Sequence, residues 1–160
     1  MSTASTDLVE VRVLELPVPL WAKSQEHFQD LMREFALIAG NSGASLHPVP
    51  ARLLELVETL TAEYAGVSEA QEAELAAAAE AGTASLDLVF CAPPQAGPAA
   101  EDLGRVLEEA DEFCRAGEHL LTLATPPDCV AYRQWYIAQF VDQLAGGDPV
   151  PWSQWSGTGR

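Results

Sequence analysis

Basic side chains are scarce in this sequence. One Lys and seven Arg stand against 24 Asp and Glu in 160 residues, for a formal net charge of −16. No basic stripe offsets that field, so a phosphate backbone and an anionic lipid surface are both repelled, and neither nucleic acid nor membrane is expected as a partner. Long apolar runs are missing too: none approaches the ~18 residues a membrane-spanning helix needs. The opening MSTASTDLVE has neither a cationic n-region nor an apolar h-region, so it does not read as a signal peptide, and cytoplasmic residence is the expectation. Cysteine is limited to Cys91, Cys114 and Cys129, an odd number at unrelated spacings. In a reducing compartment these read as small buried hydrophobes rather than a disulfide framework.

The catalytic signatures are also missing. There is no G-x-x-x-x-G-K-[ST], no G-x-G-x-x-G after a strand, no G-x-S-x-G and no C-x-x-C. The histidines, His27, His47 and His119, form no i, i+3 or i, i+4 pair. Cys114, His119 and Cys129 would need a tertiary coincidence to form a metal site. His27, Asp30 and Glu34 share one side of a helical pattern, as an acid/base group or metal half-site would. The same spacing describes the wet side of an amphipathic helix, with Arg33 alongside. Cys91 follows a strand but has no helix N-terminus or histidine beside it in sequence, so a buried structural thiol is expected. No cofactor and no metal are implied.

What is present is a strong hydrophobic pattern. Nearly half the residues are apolar (48% hydrophobic), enough to pack one domain at this length. VEVRVLEL alternates Val9, Val11 and Val13 with Glu10, Arg12 and Leu14, which predicts a half-buried strand ended by Pro17 and Pro19. Phe28, Leu31, Met32, Phe35 and Ile38 make one helical face. Leu53, Leu56, Val57, Leu60 and Tyr64 make a second, with Pro48 or Pro50 in its first turn. A third, alanine-rich helix is expected from an N-cap at Ser68 to a stop at Gly82. Between Leu53 and Ala81 lie seven Glu and no Lys or Arg, read as a solvated acidic face. SLDLVFCAP predicts a second strand, PPQAGP a loop, and PAAEDLGRVLEEADEFCRAG a fourth helix. HLLTLATP is either a third short strand or a buried connection.

TPPDCVAYRQWYIAQFVDQLAGG then predicts the last helix, with Thr125 as N-cap, Pro126 at N1 and Asp128 at N3, stopped by Gly146-Gly147. It is apolar over most of its circumference, the pattern of a helix buried by several neighbours. The expected fold is α+β: a single helix-rich domain, about five helices with a small two- or three-stranded sheet. A compact α/β layer is the alternative. Residues 1–6 and 148–160 are expected as tails around a domain at 7–147.

Candidate binding residues are Arg133, Trp135, Tyr136, Trp152 and Trp21. Arg and Trp anchor interfaces and ligand sites, and Arg133 lies three residues before Tyr136 on one helix face. The competing reading pairs Arg133 with a carboxylate and leaves the rings as core.

Taken together, VRVLELPVPLW, EHFQDLMREFALIA, PARLLELVETL, LDLVFCAP, the block DLGRVLEEADEFCRAGEHLLTLATPPDCVAYRQWY and a short PW ending resemble a largely uncharacterised family of small acidic actinobacterial proteins. The resemblance runs from about Val9 to Trp152. Members accompany partner-switching regulators: anti-sigma kinases, their antagonists and serine phosphatases. The resemblance implies a non-catalytic regulatory protein that binds another protein, such as a sigma-factor regulator, and leaves a homodimer open. Some members are labelled ATP-binding anti-sigma kinases, but the Asn-bearing helix and D-x-G-x-G turn of that fold are not in this chain. Two rival functions stand beside it: a small-molecule sensor with an aromatic, Arg-lined pocket, and an enzyme built on carboxylates with His27 or His119.

Overall fold

The structure, a computed structural model, describes residues 7–42, 48–116 and 124–155. The chain order is β1 (Val9–Pro17), α1 (Val18–Ser42), α2 (Pro48–Glu80), β2 (Ser85–Ala92), α3 (Ala96–Ala116) and α4 (Pro127–Leu144), then a 3-10 turn at Trp152–Gln154. It is an α+β arrangement with a two-stranded antiparallel sheet and, among the described residues, four helices rather than about five. The stretch 119–124, left open as a third strand, lies almost wholly outside the described residues, as do His47 and His119.

Strand alternation places the core. Val11 pairs with Phe90 and Val13 with Leu88, and all four are buried on one face. The opposite face carries exposed Glu10, Arg12, Asp87 and Val89. Cys91 is on that outer face opposite Glu10, so it is exposed and not the buried thiol its neighbours suggested. The register slips between Val13 and Leu16, where Leu14 and Glu15 together oppose Asp87. Glu15 sits at this bulge with φ 59°, costing roughly 1 kcal/mol for an L-residue. Its N–H donates to Asp87 Oδ1 at 2.8 Å, and its carboxylate accepts the Ser153 hydroxyl.

The predicted second and third helices are one. α2 runs through AEYAGVSEA with non-helical backbone only at Tyr64 (φ −120°, ψ 20°). Gly66 costs helix stability without stopping the helix, and Ser68 donates to Glu72 instead of opening a new N-terminus. α3 begins at Ala96, inside the predicted loop, since Pro98 is tolerated in a first turn. α2 and α4 both end in Schellman geometry: Gly82 (φ 76°) and Gly146 (φ 103°) let Thr83 and Gly147 bond back to Ala78 O and Asp142 O.

Two apolar clusters result. One joins the inner sheet face to the second half of α2, to α4 and to Trp152. The other joins α1, the first half of α2 and α3 around Leu31, Phe35, Leu53 and Leu107.

Candidate functional site

α4 was expected to be buried on several sides, and its polar residues show how. Gln143 accepts the Arg12 N–H and donates to the Arg12 C=O, both at 2.8 Å. Its carboxamide thus takes the place of a third strand at the open edge of β1, one way to close an edge that would otherwise template pairing. Gln139 accepts from Gln143 and from the Val150 N–H at 2.9 Å. Trp135 Nε1 donates to Val150 O at 2.7 Å. Residues 148–152 are therefore held against α4 through the backbone of Val150.

These bonds separate the five candidate residues into two groups. Trp135 is 0% exposed and packs edge-on against Trp152, with centroids 5.4 Å apart. Both belong to the core beside β1. Trp21, Arg133 and Tyr136 instead meet at a cleft of about 310 Å³ lying where the two apolar clusters adjoin. Its aromatic wall is Trp21, Phe28, Phe90, Tyr132 and Tyr136. Tyr136 is fixed by rings at 6.3 Å (Phe90) and 5.3 Å (Phe140). Ser24, Gln25, His27, Gln71 and Glu72 supply polar groups from α1 and α2. A second, apolar hollow of about 240 Å³ adjoins the cleft at Leu103, Tyr136 and Ile137, beside the Tyr64 kink.

Arg133 proves to be paired. Its Nη2 lies 3.2 Å from Asp111 Oδ2, in a pair whose side chains are 14% and 4% exposed. Asp111 also accepts the Thr125 N–H at 3.1 Å and the Thr125 hydroxyl at 2.6 Å. Thr125 is accordingly not the N-cap of α4: that position is Pro126, with Pro127 as the first helical residue. The residue type was right for a cap, but a buried carboxylate on α3 takes its hydroxyl.

The electrostatics of the cleft do not favour nucleophilic chemistry. Burial raises the Cys129 thiol that lines the cleft, and outside the cleft it pushes Cys114 up to about 11. An attacking thiolate needs the opposite shift. Burial also lifts the Tyr132 and Tyr136 hydroxyls well above the ordinary phenol range, and Glu72 adds to this at Tyr136. The His27–Asp30–Glu34 row is divided, since His27 lines the cleft while Asp30 pairs with exposed Arg33 at 2.6 Å. Among the described residues no group of three or more His, Cys, Asp or Glu could hold a metal ion, and no helix is long and apolar enough to cross a membrane.

Tyr132, Glu72 and Ser24 belong to the cleft without having been singled out in the sequence. The one available signal was Tyr132 standing four residues before Tyr136, on the same helical face. No protein-family model, curated protein or solved structure matches the chain.

Proposed function

We propose that this chain is a non-catalytic ligand-binding module, a sensor working in the cytoplasm, whose site is the aromatic cleft between the two apolar clusters. The observation carrying the reading is a volume of about 310 Å³, walled by five aromatic rings and edged by a few polar side chains. Small-molecule sites share that size range and lining. The test follows methyl resonances while a neutral aromatic probe, 4-tert-butylphenol, is titrated in. Binding in the cleft shifts Leu31, Leu75, Leu107 and Ile137 and leaves exposed Leu8 and Leu37 unmoved. Shifts confined to exposed residues, or none at millimolar probe, would remove the cleft from consideration.

A second reading is a regulatory protein that docks on a basic partner in a partner-switching circuit, alone or as a homodimer. The net charge of −16 and the run of seven Glu along α2 favour it, and the family resemblance points the same way. Affinity capture from native extract with mass spectrometry tests it. Recovery of a sigma-factor regulator supports it, and repeated recovery of nothing counts against it.

A further inference from the structure

We propose that the cleft selects an organic cation: an apolar amine or quaternary ammonium carrying an aromatic or branched alkyl group. The inference rests on the ligand-binding reading above and names its ligand class. Five aromatic side chains line one volume, and an aromatic ring attracts a cation through the negative side that is its face. Glu72 reaches the same volume from α2 and is exposed at its rim. The lining cation, Arg133, is already matched inside the protein by Asp111, so it offers no uncompensated charge to an anion. Glu72 makes no ion pair among the described residues and accepts the Ser68 hydroxyl at 3.4 Å, so its charge is left to be answered by a ligand. The −16 net charge acts in the same direction at longer range. Burial raises the Tyr136 hydroxyl, and Glu72 lies close enough to add to that shift.

The test compares isosteres. (4-Hydroxyphenyl)trimethylammonium and 4-tert-butylphenol differ by one nitrogen for one carbon, and 4-tert-butylbenzoate supplies the opposite charge. Titrations on the full chain are read by tryptophan fluorescence and by the same methyl shifts. The cation is expected to bind about tenfold more tightly than the neutral probe. Glu72→Gln removes most of that preference, while Glu74→Gln, an equal change in net charge two residues away, leaves it in place. Glu72 is exposed, so its substitution leaves the fold intact. Trp21→Leu weakens the cation more than the neutral probe. If the neutral probe binds as well as the cation, or the benzoate binds best, the cation proposal is overturned and the ligand-binding reading stands. If Glu72→Gln and Glu74→Gln act alike, the preference belongs to net charge and the proposal also falls. If no probe binds at millimolar concentration, both readings fall together.

Discussion

Arg133 stands on a helix that is apolar nearly all round, and its guanidinium is answered by one carboxylate. Asp111 holds Arg133, the Thr125 N–H and the Thr125 hydroxyl at once, tying α3 to the chain entering α4. Such a pair is poor evidence of net stabilisation, because removing two charges from water offsets most of the attraction between them. Breaking it is a different matter. Asp111→Ala leaves a guanidinium with little access to water and should cost about 3–5 kcal/mol in urea unfolding. Asp111→Leu combined with Arg133→Met should cost much less than the sum of the single changes, since neither charge is then orphaned. Single losses below about 1 kcal/mol would instead mark the pair as one of the weak surface type.

At the scale of elements, residue periodicity carried most of the fold. Alternating Val9, Val11 and Val13 marked β1, and Gly82 and Gly146 marked two helix ends through the positive φ each adopts. Interruptions in the pattern were harder to read. Ser68 looked like the N-cap of a new helix, yet α2 passes through with a kink at Tyr64. The two halves of α2 belong to different apolar clusters, and that tertiary demand outweighs the local signal. The roles of Gln139 and Gln143 were not legible in the helical pattern, because their partners, Val150 and Arg12, lie outside the helix. The kink itself gives a prediction. A Cβ at Gly66 would meet nothing within 4 Å, and no positive φ is required there. Gly66→Ala should therefore raise stability by about 0.5–1 kcal/mol in urea unfolding. Gly104→Ala is the contrast, because its Cβ would press on Ile137 Cδ1 at 3.0 Å and disturb the wall of the cleft. A loss of stability in Gly66→Ala would show that the kink depends on glycine.

At the scale of the whole molecule, the cleft was the least legible feature. Its lining comes from all four helices and β2, and sequence patterns report stripes rather than the space left where two packed clusters meet. That same packing makes stability sensitive to alkali. In the unfolded chain a thiol loses its proton near its ordinary value of 9 and a phenol near 10, whereas folded Cys114 holds its proton to about 11. Cys129, Tyr132 and Tyr136 are raised in the same sense by burial. For each such group the folded state binds more protons between its unfolded and folded values. Stability therefore falls as pH rises through that window, by up to about 1.4 kcal/mol per pH unit per group, and is unaffected by these groups below it. The urea midpoint should thus change little on their account between pH 7 and about 8.5. It should fall from pH 9 upward as Cys114 enters its window, and more steeply above 10 as the tyrosines follow. Tyr136→Phe removes one raised phenol and should flatten the portion above pH 10 while leaving the onset near 9. A midpoint at pH 10.5 equal to that at pH 8 would mean that these side chains ionise in the folded protein as easily as in the unfolded chain, and that the cleft is open to water throughout.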